Sequence, residues 1–314
     1  MQYRRLGRSG LQLSEIGLGS WLTFGNAVNA AGAAACVRQA YELGVNFFDA
    51  ANVYAAGAAE EVLGQALRPF PRDTYVLATK CFFPMGEKPN QSGLSRKHIM
   101  EQAHASLRRL GVDYVDLYQA HRFDPAAPLD ETLRAFDDLV RAGKALYVGV
   151  SNWTAQQMLD AHALAEGLGL DRIVSNQPSY SMLRRDIEAD IVPTCGKLGV
   201  GQVVFSPLAQ GVLTGKYDGK TIPPDSRAAD ARANQFIQRV LTPENFRRVE
   251  MLKPLAAQLG MSMAQLALAW CLRLDNVASV ICGATRPQQV TDNAAAAGQK
   301  IPPDVLARIE QILA

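Results

Sequence analysis

The sequence predicts an eight-stranded parallel α/β barrel, and three observations lead there. Short β-branched or aromatic runs alternate with amphipathic stretches eight times along the chain. Each run is short, mainly apolar and bounded by polar or Gly/Pro residues, as in strands buried on both faces. No linker, charge tract or low-complexity stretch interrupts the alternation, so residues 1–314 read as a single domain. A chain of 314 residues suits one barrel with insertions. An open doubly wound sheet is the alternative. It would carry a G-x-G-x-x-G turn after its first strand, and Gly17-Leu18-Gly19-Ser20-Trp21-Leu22 lacks the third glycine.

The predicted strands are Ile16–Leu18, Asn46–Asp49, Tyr75–Lys80, Tyr114–Ala120, Ala145–Ser151, Arg172–Gln177, Gly201–Ser206 and Ser279–Gly283. Helical patterns fill the intervals. Ala34–Leu43 stops at Gly44, a residue free to take the left-handed C-cap conformation. Ala59–Leu67 stops near Pro69. Ser95 offers an N-cap hydroxyl to a helix reaching Leu110 and closed by Gly111. Asp130–Arg141 stops at Gly143, and Thr154–Ala165, Asp186–Leu198, Phe246–Leu259, Ser262–Leu272 and Pro287–Ala297 follow. Tyr3–Leu6 and Leu11–Leu13 flank Gly7-Arg8-Ser9-Gly10, a hairpin signal expected to cap the bottom of the barrel. After the seventh strand, Pro207 to about Asn245 reads as a long loop, a feature that in compact domains is often functional. Phe82–Gly93 and Arg122–Leu129 are shorter insertions after the third and fourth strands.

Composition narrows the function. Hydrophobic residues make up 48%, charged residues 20%, and the net charge is +2 with both signs interspersed. No basic block suggests nucleic acid or a membrane surface. The five cysteines are scattered and form no C-x-x-C pair, which suits a reducing, cytoplasmic setting better than disulfides or zinc. No apolar run is long enough to span a bilayer.

Active sites of α/β barrels lie at the C-terminal ends of the strands. The reactive residues found there are Asp49 with Tyr54 just beyond, Lys80, His121, Ser151-Asn152, Asn176-Gln177 and Phe205-Ser206. A structural Asp49–Lys80 ion pair and a surface-loop Tyr54 are the plain alternatives, but buried Asp and Lys are rare unless paired. A metal-dependent hydrolase would need several His and carboxylate ligands at strand ends. Only His121 is suitably placed, so no metal is expected.

Asn46-Phe47-Phe48-Asp49-Ala50-Ala51-Asn52-Val53-Tyr54, followed by Glu60-Glu61-Val62-Leu63-Gly64, resembles the signature of the aldo-keto reductase superfamily. The likeness is greatest to the branch of potassium-channel β-subunits and related bacterial reductases. It extends over Gly143–Asn152, Gln177-Pro178-Ser179-Tyr180, Ser206–Gly211, Leu213–Tyr217 and Gly283–Arg286. The resemblance implies NADPH-dependent reduction of aldehydes or ketones by an Asp49, Tyr54, Lys80 and His121 tetrad. Tyr54 would be the general acid, Lys80 would lower its pKa, Asp49 would hold Lys80 charged, and His121 would orient the carbonyl.

The same resemblance puts Ser151, Asn152 and Gln177 on the nicotinamide carboxamide and Phe205 against its ring. The backbone of Ser206, Pro207, Leu208 and Ala209 and the side chains of Lys216 and Arg227 would line the pyrophosphate, with Asp49 and Gly211 also in the cofactor set. Arg286 would take the 2′-phosphate, which is the reason for NADPH over NADH. Ser20, Trp21, Gly283, Thr285, Gln289, Asp292 and Asn293 complete the cofactor set. Trp21, Tyr54, Phe82, His121 and Trp153 are expected to line the substrate pocket. The competing reading is an NADPH-binding regulatory module serving a protein partner. His121 argues against it, since the resemblance implies Asn there in channel subunits. The partner expected is a small carbonyl compound; the oligomeric state stays open.

Overall fold

A computed structural model describes residues 1–224, 226–230 and 233–314. A two-stranded antiparallel hairpin, β1 (Tyr3–Arg5) and β2 (Gln12–Ser14), precedes the barrel. The alternation then runs β3 (Ile16–Gly19), α1 (Ala30–Glu42), β4 (Phe47–Asp49), α2 (Ala58–Leu67), β5 (Val76–Cys81), α3 (Arg96–Leu110), β6 (Val115–Ala120), α4 (Leu129–Arg141), β7 (Ala145–Val150) and α5 (Ala155–Leu168). It continues with β8 (Ile173–Asn176), α6 (Ile191–Leu198), β9 (Gly201–Phe205), α7 (Pro243–Gln258), α8 (Met263–Cys271), β10 (Val277–Cys282), α9 (Pro287–Ala294) and α10 (Pro303–Leu313). The strands β3 to β10 close in order into a parallel barrel, β10 pairing with β3.

Burial explains why these segments are strands. Every residue of β5, β6 and β10 is buried, as a sheet covered on both faces requires. Outward side chains such as Leu77, Tyr118 and Val148 join the layer beneath the helices. Inward ones at the lower end, Phe47, Val76, Ala78, Leu117, Val203 and Ile281, pack on Leu6 and Leu13 of the hairpin region. The hairpin therefore plugs the end of the barrel where the strands begin. Its turn is tight: a Cβ on Gly7, at φ +57°, would sit 2.2 Å from the Gly199 carbonyl oxygen.

Several helix ends differ from expectation. Helix α1 begins at Ala30, because the Asn29 side chain caps the Gly32 N–H. Helix α6 begins at Ile191, with residues 186–188 in a separate 3-10 turn. Helix α7 begins at Pro243, capped by Thr242, and α9 ends at Ala294. Helix α10 was not expected at all. It buries Val305, Ile309 and Leu313 on one stripe. The loop after β9 holds three 3-10 turns, at Ala209–Thr214, Asn234–Phe236 and Gln238–Val240. No helix among the described residues is long and apolar enough to cross a membrane.

Candidate active site

Strand pairing sets the reactive residues at one level. Beyond β4 the chain keeps its register with β5: Ala50 N–H donates to the Ala78 carbonyl and Asn52 N–H to that of Lys80. Tyr54 then opens a 3-10 turn in which Ala55 and Ala56 are left-handed, at φ 49° and 53°. His121 N–H donates to Cys81, Ser151 N–H to Ala120 and Gln177 N–H to Val150. The ladder thus runs one residue past each strand end, and side chains from β4, β5, β6, β7 and β8 converge there.

Lys80 is wholly buried. Its ammonium uses all three donors, on Asp49 Oδ2 at 2.6 Å, the Ala50 carbonyl at 2.7 Å and the Tyr54 hydroxyl at 3.4 Å. The other Asp49 oxygen, Oδ1, accepts from Gln177 Nε2 at 2.9 Å. Strand β4 lies opposite β8 in the ring of eight, so this bond spans the barrel. The His121 ring stands edge-on to Tyr54, 5.6 Å between centroids.

The electrostatics correct one expectation. Tyr54 is held well above an ordinary tyrosine pKa, first by burial and then by Asp49, with Arg122 opposing. Lys80 does not win because its charge is matched by a carboxylate 2.6 Å away, so the phenol faces a near-neutral pair while desolvation acts in full. Burial also lowers the Lys80 pKa, and the Asp49 charge counters it. His121 is pushed well below the usual histidine range by burial, then by Lys80 and Arg122. The resting site therefore holds a protonated phenol and a neutral imidazole, each able to donate one hydrogen bond.

The residues expected at a cofactor gather on the far side of the mouth. Ser151 Oγ donates to the Gln177 carbonyl at 2.8 Å and accepts from Asn152 Nδ2 at 2.9 Å. Asn152 is left-handed at φ 55°, as are Ser206, Ala209 and Gln210 at 57°, 46° and 59°. Within the turn the Ala209 N–H donates to the Ser206 carbonyl and the Gly211 N–H to that of Leu208. Leu208 is half-buried and Pro207 buried within it, and Gly211 continues it. Arg227 is brought in from the long loop. It donates to Gln210 Oε1, which is in the same cluster as Ser206. Burial lowers its pKa, and among the described residues no carboxylate is shown acting on it.

Phe205 is half-buried at the end of β9. Lys216 is exposed, its ammonium 5.3 Å from the Tyr217 ring. Arg286 stands at the N-terminus of α9. Thr285 N–H donates to Gln289 Oε1, so that amide oxygen serves the chain itself. Gly283 and Asp292 are exposed and Asn293 is buried. Ser20 is buried, its hydroxyl donating to the Asp49 carbonyl at 3.1 Å.

Aromatic rings wall the mouth. Trp21 is tilted against Tyr54 at 6.4 Å, and edge-on to Phe205 at 6.3 Å and Phe236 at 4.9 Å. Phe82 packs on Phe83, and Phe83 on His121 at 4.9 Å. Trp153 is not brought here. It is 1% exposed and packs edge-on against Phe123, because it lies in the core layer under helix α4 with Phe136 and Val148. Phe83 follows the third strand beside Phe82, in the group of aromatics from which pocket-lining rings were expected. Arg122 and Phe236 reach the site without having been named for it from the sequence. Arg122 was findable, as the neighbour of His121; Phe236 lies deep in the long loop, where no local signal marks it.

Glu60 is a further case. It is buried behind β5, accepting from Thr79 Oγ1 and from Arg109 Nε at 2.7 Å, and its charge raises the Lys80 pKa. A cavity of about 390 Å³ lies at the opposite end, lined by Arg8, Tyr147, His162 and Arg172 among others, and touches none of the strand-end groups.

Residues 15–314 match the family model described as aldo/keto reductase family. The chain is 44% identical over 318 residues to a probable voltage-gated potassium channel subunit beta of Oryza sativa subsp. japonica, covering 100% of this chain and 97% of the relative. A protein of the same description in Arabidopsis thaliana gives the same identity and coverage. A putative voltage-gated potassium channel subunit beta of Schizosaccharomyces pombe is 42% identical over 322 residues, covering 99% of this chain and 93% of the relative.

Proposed function

The chain belongs to the aldo/keto reductase family, a family of nicotinamide-dependent oxidoreductases, and from that premise we propose that it reduces aldehydes and ketones to alcohols with NADPH. The observation that carries this is the hydrogen-bonded line Gln177–Asp49–Lys80–Tyr54, with His121 beside the phenol. A packing role does not call for a saturated buried ammonium aimed at a tyrosine hydroxyl.

The residues present fit a dinucleotide. The left-handed turn at Ser206–Gln210 and the desolvated Arg227 suit a pyrophosphate. Arg286 suits the 2′-phosphate that separates NADPH from NADH, and the half-buried face of Phe205 suits the nicotinamide ring. Ser151, Asn152 and Gln177 supply amide and hydroxyl groups for the carboxamide. When bound, the cofactor supplies a hydride, two electrons, to the carbonyl carbon.

The protein's share is proton delivery and orientation. The Tyr54 O–H and a neutral His121 N–H hold the carbonyl oxygen and polarise it. As negative charge grows on that oxygen it becomes a far stronger base than a phenolate, so the proton passes from Tyr54 even though its resting pKa is high. The Lys80 N–H bond to the phenol oxygen strengthens as phenolate forms, which spends that interaction on the transition state. Solvent then returns a proton to Tyr54.

The relatives' descriptions favour a second reading, in which the barrel binds nucleotide and serves a channel partner. One assay separates the two. Purified protein is mixed with NADPH and simple aldehydes, with NADH and Tyr54→Phe as controls. Turnover that prefers NADPH and is nearly abolished in Tyr54→Phe supports the reductase. Tight NADPH binding with no turnover favours the partner-serving module, and failure to bind either nucleotide removes both.

A further inference from the structure

Arg122, the residue after His121 at the end of β6, has so far entered only through its charge on Tyr54 and His121. Its Nη1 donates to the His121 carbonyl at 2.7 Å, and its guanidinium lies over the Phe83 ring, 5.5 Å from the centroid. Phe83 in turn packs on the His121 imidazole. The side chain is half-buried, and among the described residues no carboxylate is shown acting on it; the titratable groups that do are Tyr54 and a second arginine, Arg184. Arg184 has its own partner in Asp186 at 3.1 Å. A guanidinium held partly out of water without a counter-ion is costly unless an anion visits. Its fork matches a carboxylate in two parallel hydrogen bonds.

Position decides which anion. Strand β6 faces β10 across the barrel, four strands away in either direction. Arg286 follows β10, and the Ser206–Gln210 turn with Arg227 follows β9. Arg122 is thus on the far side from the groups suited to dinucleotide phosphates. It stands beside Tyr54 and His121, and its charge reaches both. An anion at that place belongs to the substrate.

We infer that Arg122 selects carbonyl compounds bearing a carboxylate beyond the reacting carbonyl, with Phe83 flanking the body of the substrate between the two groups. This rests on the carbonyl-reduction reading.

The probes are 4-formylbenzoate and its methyl ester, which share ring and aldehyde and differ in charge. Wild type, Arg122→Gln and Arg122→Lys are assayed with NADPH. The wild type favours the acid in kcat/KM by about tenfold, the effect of one partly desolvated charge-assisted pair, with the difference in KM. Arg122→Gln brings the ratio near one. Arg122→Lys keeps part of the preference, since it retains charge and loses the fork. A wild-type ratio near one overturns the inference. So do equal losses on both substrates in Arg122→Gln, the mark of a structural role, or weakened NADPH binding with an unchanged ratio. Turnover of the ester without preference for the acid leaves the reductase reading standing and removes only this one; turnover of neither removes both.

Discussion

Replacing Asp49 by Asn tests the centre of the site. In the wild type the Lys80 and Asp49 side chains are 0% and 4% exposed, so solvent screens little of their attraction. The variant keeps the Ala50 carbonyl, the Tyr54 hydroxyl and one amide oxygen as acceptors but leaves the buried ammonium without a counter-charge. Breaking a buried pair from one side costs about 3–5 kcal/mol. The surviving acceptors argue for the lower end, about 3 kcal/mol, and thus a fall in Tm of roughly 6 °C. Lys80→Met leaves the opposite orphan, a buried carboxylate with Gln177 alone. The double variant carries neither charge.

Thermal unfolding by circular dichroism on the four proteins gives a double-mutant cycle. The double variant should be no less stable than either single one, with a coupling of at least about 2 kcal/mol. Both single variants should also lose about 100-fold or more in kcat. Additive stability losses, or an Asp49→Asn enzyme of wild-type Tm and activity, would refute the reasoning, since the pair would then be neither desolvated nor needed.

Four further outcomes follow. His121 is neutral in the fold, and His98 and His162 are also shifted down; the unfolded chain takes up protons that the fold refuses as pH drops below about 6.5. Stability is therefore flat above that pH and declines below it, and in His121→Asn the Tm difference between pH 7.5 and 5.5 should shrink. With the phenol held above its ordinary pKa and the imidazole below its own, kcat/KM for reduction should be level from about pH 6 to 8; a sharp break inside that window would contradict these assignments. Gly64→Ala places a Cβ 2.2 Å from the Leu110 carbonyl oxygen, between α2 and α3, and should cost about 3 kcal/mol in denaturant unfolding. Arg286→Ala should weaken NADPH about tenfold in a fluorescence titration and leave NADH nearly unchanged; equal losses for both nucleotides would remove it from the 2′-phosphate.

The barrel was legible because its strands are buried on both faces, so mainly apolar runs such as Val76–Cys81 and Val277–Cys282 stand out between polar bounds, even though they carry buried polar residues such as Lys80 and Ser279. Helix α10 was legible in principle from Val305, Ile309 and Leu313 at four-residue spacing, though no strand follows it to complete a repeat. The proposed group Asp49, Tyr54, Lys80 and His121 could be placed because strand ends share a level in any such barrel. The sign of the Tyr54 shift could not be: it depends on how completely Asp49 cancels Lys80, a matter of 2.6 Å in space rather than of spacing in sequence. Trp153 illustrates the same limit. It directly follows Ser151-Asn152, yet the left-handed turn at Asn152 carries the next side chain outward into the helix layer. Phe236 reaches Trp21 only because the long loop folds back over the mouth.

The hairpin at the closed end also orients the whole molecule. Tyr3 hydrogen-bonds the Gly44 carbonyl and Arg4 those of Leu274 and Val277, all at the ends where strands begin. Met1 therefore emerges from the base, a full barrel length from Tyr54. A tether attached there would hold the protein like a cup by its foot, with the rim turned to solvent. Immobilisation through the amino terminus should leave small-molecule access untouched, and a bulky fusion at that end should change neither KM nor nucleotide affinity.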